Sequence, residues 1–170
     1  MTVGILGLGL IGGSLARAYK LAGHTVYVKN RDESMLSFAM LSGAVDGKLN
    51  EDTIPQCDLI LLAIYPAGSA DWLEANAPLI SKKALVIDCC GTKQLVCQRC
   101  FPIAEEYGFT FVGGHPMAGS QFSGFKYSRA SLFQGAPMVL VPPVYDDMAL
   151  LQRVKDALGP CGFGFFSVTT

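Results

Sequence analysis

Charge is what this chain has least of: 16% of its 170 residues are Asp, Glu, Lys or Arg, and the 13 basic residues nearly balance the 14 acidic ones. Lys82-Lys83 is the longest basic run. With no positive field to draw in a nucleic acid backbone or an anionic membrane surface, neither is expected as a partner. Long apolar runs are missing as well. No stretch reaches the roughly 18 uninterrupted apolar residues of a membrane span, and no positive segment precedes the apolar N-terminus to make it a signal peptide. A cytoplasmic protein is the expectation. Repeats, low-complexity tracts and linkers are absent too, so residues 1–170 read as a single domain. The six cysteines include Cys97-x-x-Cys100, but this pair lies inside a helical pattern and has no second pair at zinc spacing. Buried, reduced thiols and no metal site are therefore expected.

What the chain does have is apolar content, 51% of its residues. That suits a parallel sheet covered on both faces, or an apolar surface kept for a partner. The stretch MTVGILGLGLIGGS, Met1 to Ser14, organises the rest. Val3 to Leu6 reads as a buried strand and Ile11 to Ala22 as an amphipathic helix, with Gly7, Gly9 and Gly12 in G-x-G-x-x-G spacing between them. Gly7 would allow the tight turn, Gly9 the approach of a diphosphate to bare backbone, and Gly12 the close packing of helix on strand. The helix N-terminus would then meet the phosphates with free N–H groups and a positive dipole end.

Strand and helix patterns alternate from there on. Thr25 to Lys29 reads as a strand, and Asp32 caps a helix that ends at Gly43. Ala44 to Val45 reads as a short third strand, Asp58 to Ile64 as a buried one, and Pro66 opens a helix towards Leu79 with Trp72 inside. Ala84 to Asp88 is a strand, and Lys93 to Tyr107 a helix that Pro102 must kink or split. Phe109 to Val112 is a strand, followed by a long irregular stretch from Gly113 to Gln134. Met138 to Val141, Asp146 to Leu158 and Phe163 to Val168 complete the pattern as strand, helix and strand. Such alternation predicts an α/β, doubly wound, mainly parallel sheet of Rossmann type. Its ligand crevice would lie beyond the carboxyl ends of the strands, among the loops after Leu6, Lys29, Ile64, Asp88 and Val112.

Residues expected to touch the dinucleotide are Gly7, Gly9, Leu10, Ile11 and Gly12 in the turn, then Asn30 and Arg31, Ile64 and Tyr65, and Gly91. A carboxylate after the second strand commonly holds the ribose 2′-hydroxyl of NAD. Here the strand leaves through Asn30 and Arg31, an amide and a guanidinium suited to the 2′-phosphate of NADP. A charge-assisted bond of about 1.5–3 kcal/mol would favour NADP roughly ten- to hundredfold. NAD is the alternative, with Asp32 reading the ribose if that residue is not simply a helix cap. Of two histidines, His24 reads as a solvent-facing turn residue. His115, in GGHP, is the one side chain of its stretch able to take a proton near neutral pH, in either a catalytic or a structural hydrogen-bonding role.

GLGLIGGSLA (Gly7 to Ala16), DCCGTK (Asp88 to Lys93), GGHPMAGS (Gly113 to Ser120) and LFQGAPMVLVP (Leu132 to Pro142) occur in an order and spacing that resembles the prephenate and arogenate dehydrogenases of tyrosine biosynthesis. The resemblance covers essentially the whole chain and matches that family's nucleotide-binding half. It implies an NADP- or NAD-dependent oxidative decarboxylation of prephenate or arogenate, with His115 hydrogen-bonded to the substrate's ring hydroxyl. It also places Ser120 near substrate and nicotinamide. Gly91 stands where many members carry a serine, a role Thr92 would have to fill. Gln121 and Phe122 stand where many have a glutamate and a basic residue. The family's helical dimerisation domain would begin where this sequence stops. The expectation is a cofactor-binding domain with little turnover of its own, an apolar exposed face and weak self-association, homodimeric in the full-length family. Two other readings compete: a dehydrogenase of β-hydroxyacid or pyrroline-carboxylate reductase type, and a non-catalytic module sensing NADP.

Overall fold

A computed structural model describes every residue, Met1–Thr170. Eight strands form one sheet: β1 (Thr2–Leu6), β2 (Thr25–Lys29), β3 (Gly47–Lys48), β4 (Leu59–Leu62), β5 (Leu85–Asp88), β6 (Thr110–Pro116), β7 (Pro137–Val141) and β8 (Phe165–Val168). Five helices connect them: α1 (Leu10–Leu21), α2 (Glu33–Leu41), α3 (Pro66–Asn76), α4 (Gln94–Tyr107) and α5 (Met148–Ala157). The spatial order is β3-β2-β1-β4-β5-β6-β7-β8. All neighbours run parallel except β6 and β7. Chain order reverses between β1 and β4, which opens a crevice at their carboxyl ends.

Alternate residues along each central strand supply two separate cores, one per face. Val3, Ile5, Leu59, Leu61, Leu85 and Ile87 pack on the side of Leu15 and Tyr19 from α1. Leu6, Ile60, Leu62 and Val86 pack on the other, against Leu73 of α3 and Val96 of α4. A strand that must satisfy both faces has no polar position to spare, which is why these strands read as unbroken apolar runs. No helix is long and apolar enough to cross a membrane.

Three features depart from the sequence reading. The third strand is Gly47–Lys48, not Ala44 to Val45. Ala44 and Val45 are buried in the core as a connector, and Asp46 secures it by accepting from the Val26 N–H at 2.8 Å and from Lys20 at 2.8 Å. Helix α4 runs unsplit through Pro102. Pro102 and Gln98, whose carbonyl loses its helical partner, both sit on the exposed side, where water can replace that bond. Strand β6 continues to Pro116, so His115 lies within a strand and the irregular stretch starts only at Met117.

The thiols are interior groups. All six are free, Cys57, Cys90, Cys97, Cys100 and Cys161 are buried, and Cys89 is half-buried. Burial, joined by the charge of Asp88, pushes Cys90 and Cys97 up to about 11 and Cys100 up to about 12. Burial likewise pushes Cys57 and Cys161 up to about 12 and raises Cys89. Since the thiolate is the nucleophile, an alkylating reagent near neutral pH should label none of the six in the native chain and all six in denaturant, as mass spectrometry would record.

Candidate active site

The three glycines of the turn after β1 each meet a different constraint. Gly7 has φ +99°, and a Cβ there would lie 2.6 Å from the Ala63 carbonyl oxygen. Its N–H donates to the Lys29 carbonyl at 2.8 Å, tying the turn to β2. A Cβ on Gly12 would fall 2.0 Å from the Gly7 carbonyl oxygen, so α1 lies directly on the turn. At Gly9 a Cβ would meet nothing within 4 Å. The open position is the one at which a diphosphate is expected from the sequence. Helix α1 begins here with neither a side-chain cap nor an acidic residue in its first turn. Leu10 and Ile11 therefore present free N–H groups to the opening.

Asn30 has a task that the sequence did not disclose. Its Oδ1 accepts the Leu8 N–H at 3.1 Å, and its Nδ2 donates to the Asp32 carbonyl at 3.1 Å. The amide pins the glycine turn to the exit of β2. Asp32 caps α2 by accepting the Met35 N–H at 3.1 Å. Arg31 is exposed and forms no ion pair, whereas Glu33 pairs with Lys48 at 3.4 Å. A cavity of about 500 Å³ opens beside Arg31, walled by Gly7, Asn30, Ile64, Tyr65 and Trp72 among others. Tyr65 begins α3 and is 59% exposed, with its ring lying over Gly68.

The second half of the site forms around Asp88, the last residue of β5. Its carboxylate is wholly buried and holds three groups. Oδ1 accepts the Gly114 N–H at 3.0 Å, Oδ2 accepts the Cys90 N–H at 3.1 Å, and Lys93 ion-pairs with Oδ2. The Cys90 thiol donates to the Ile64 carbonyl at 3.0 Å, so the loops after β4 and β5 are joined. Gly91 and Thr92 are exposed on the turn beyond, and the His115 ring faces Gly91, with Nε2 3.8 Å from where a Cβ would stand. The structure thus brings Gly91 and His115 together. Ser120 is exposed, and the bond of its hydroxyl is to the Phe122 N–H of its own loop, at 3.2 Å. Sequence reading passed over Asp88 and Lys93 as site residues. The available signal was a carboxylate closing an otherwise apolar strand, with a lysine at the start of the next helix.

A parallel sheet in this order, with a glycine turn at its reversal and an uncapped helix facing an open cleft, defines a dinucleotide-binding α/β domain. The nucleotide-binding domain of prephenate dehydrogenase matches residues 15–166, and the chain belongs to that family. The glycine turn precedes the matched residues and rests on its own geometry. Prephenate dehydrogenase of Lactococcus lactis is 32% identical over 139 residues, 80% of this chain and 39% of the relative. Arogenate dehydrogenase of Synechocystis superposes with a TM-score of 0.86 at 30% identity, covering 100% of this chain and 60% of that one. Prephenate dehydrogenase of A. aeolicus, solved with hydroxyphenyl propionate and NAD+, gives 0.84 at 26% identity, with the same coverage. The chain spans less than half the length of the first curated relatives it matches.

Proposed function

We propose that this chain binds NADP across the carboxyl ends of β1, β2, β4 and β5 and serves the oxidative decarboxylation of prephenate or arogenate. The observation that carries the cofactor reading is the opening at Gly9, the one position of the glycine turn where a side chain would meet empty space. A diphosphate fits there, against the N–H groups of Leu10 and Ile11. The cavity beside Arg31 suits the adenosine half, with Ile64 and Tyr65 along its wall. The Arg31 guanidinium, exposed beside this cavity, can take a 2′-phosphate, whereas Asp32 turns Oδ1 to its helix cap and does not line the cavity.

A nicotinamide ring bound beside Gly91 would supply the hydride acceptor. His115 would take the proton of the substrate's ring hydroxyl while the ring carboxylate leaves as carbon dioxide and the ring becomes aromatic. Aromatisation is strongly downhill, so the protein's part is alignment and the acceptance of one proton. Thr92 and Ser120 would border this space.

Titration calorimetry with NADP and NAD tests the cofactor assignment. Micromolar NADP binding is expected, weakened roughly ten- to hundredfold by Arg31→Ala, with NAD weaker than NADP and indifferent to that change. Equal affinity for the two would remove Arg31 as the discriminating residue. Failure to bind either would overturn the reading of the glycine turn.

A further inference from the structure

We propose that the buried Asp88–Lys93 pair is a wedge that ends the pairing of β5 with β6 and thereby sets the position of His115. The parallel ladder between these strands stops at Ile87 opposite Val112. Its hydrogen bonds begin with the Thr110 N–H on the Ala84 carbonyl and advance two residues per rung. Continued in register, the ladder would next place the Gly114 N–H on the main-chain carbonyl of Asp88. The side-chain Oδ1 takes that N–H instead, at 3.0 Å. From Gly113 onwards β6 pairs with β7, antiparallel, with His115 opposite Val139.

Both glycines of GGHP are required by this arrangement. A Cβ on Gly114 would lie 2.5 Å from the Asp88 carbonyl oxygen and 2.7 Å from Met138 Cε, and one on Gly113 2.6 Å from Cys97 Sγ. The carboxylate also holds the turn that carries Gly91, through the Cys90 N–H at 3.1 Å. One side chain therefore fixes both walls of the gap between Gly91 and the His115 ring, and Lys93 offsets its buried charge. Asp88 is a positioning residue. The value of positioning His115 rests on the function proposed above, whereas the wedge is a property of the chain alone.

Asp88→Asn separates these roles, because the Gly114 and Cys90 N–H groups use different oxygens and one of the two becomes an NH2 that cannot accept. Amide hydrogen exchange at one or both should quicken about tenfold, with Ile5 and Ile60 unchanged. The His115 ring resonances, followed by NMR at one fixed pH, should move, because the strand that carries the ring loses its tie to the turn of Gly91. Adding Lys93→Met should leave that displacement in place, since the lost acceptor and not the lone charge causes it. A displacement confined to His115 and the Gly91 turn is a response that mere structural support would not give. If Asp88→Asn alone does not fold, the double variant, which removes both charges, carries the exchange readout. Uniform acceleration across the sheet, unchanged exchange at Gly114 and Cys90, or His115 ring resonances that Asp88→Asn leaves in place would overturn the proposal. None of these readouts needs cofactor or substrate. A chain that passes them and fails to bind NADP refutes the proposed function and leaves the wedge standing.

Discussion

Gly12→Ala should unsettle the whole chain, and Gly9→Ala should leave it folded but unable to hold a dinucleotide. The difference lies in what each added methyl meets. At Gly12 it falls 2.0 Å from the Gly7 carbonyl oxygen and 2.8 Å from its carbon, both backbone atoms of a turn already fixed by Lys29. The only relief is to lift α1 from β1, which opens the packing of Leu15 and Tyr19. Overpacking costs about 1–3 kcal/mol or more, and the better helix propensity of alanine returns about 1 kcal/mol of that. Thermal melts should therefore show a clear loss of stability, with nucleotide binding lost alongside. At Gly9 the methyl meets no protein atom within 4 Å, and φ there is −83°, outside the left-handed region that favours glycine. The melting temperature should stay nearly unchanged while NADP affinity in calorimetry falls roughly hundredfold, about 2.7 kcal/mol. Two variants that lose stability equally would mean the opening at Gly9 has no part in binding.

Replacing His115 with Asn should reduce turnover of prephenate or arogenate by about 10²–10⁴-fold, the range of a lost general base. Affinity for the dinucleotide should stay within about twofold. Asparagine keeps a planar polar group at the same strand position but cannot take up a proton near neutral pH. The measurement is steady-state kinetics on the form of the protein that turns over, with calorimetry of the cofactor alongside. A variant that retains kcat and raises KM would assign His115 to substrate binding and not to proton transfer.

The site's first half was legible because it is local. Gly7, Gly9 and Gly12 sit within one turn, and the tight turn predicted at Gly7 and the close packing predicted at Gly12 follow from backbone geometry alone. Strand β2 was placed at Thr25–Lys29 and Asp32 at the cap of α2 because alternation and capping are short-range signals. The second half depends on distant partners. Gly113 to Pro116 reads as loop by composition, and becomes strand because β7 arrives from beyond Gly135 to pair with it. Asp88 gains its role from three donors, two on the loop after β5 and one on β6, and the Gly114 contact is not visible as a spacing. The bond of Asn30 to the glycine turn went unread because its partner, Leu8, lies on another strand's exit. Ala44 and Val45 misled because apolar residues report burial, which a connector beneath a helix can have as fully as a strand.

A ribosome delivers the glycine turn before the strands that shape it, so its mould is not made of its own residues. Gly7 is held from one side by the Lys29 carbonyl and faces Ala63 on the other, and the Ala63 N–H donates to the Leu6 carbonyl at 2.8 Å. Its neighbour in the sheet, β4, is separated from β1 by the whole of α1, β2, α2 and β3. During synthesis, then, this segment must wait for its partner strand until β4 leaves the exit tunnel. The seat proposed for the diphosphate is begun early and closed late.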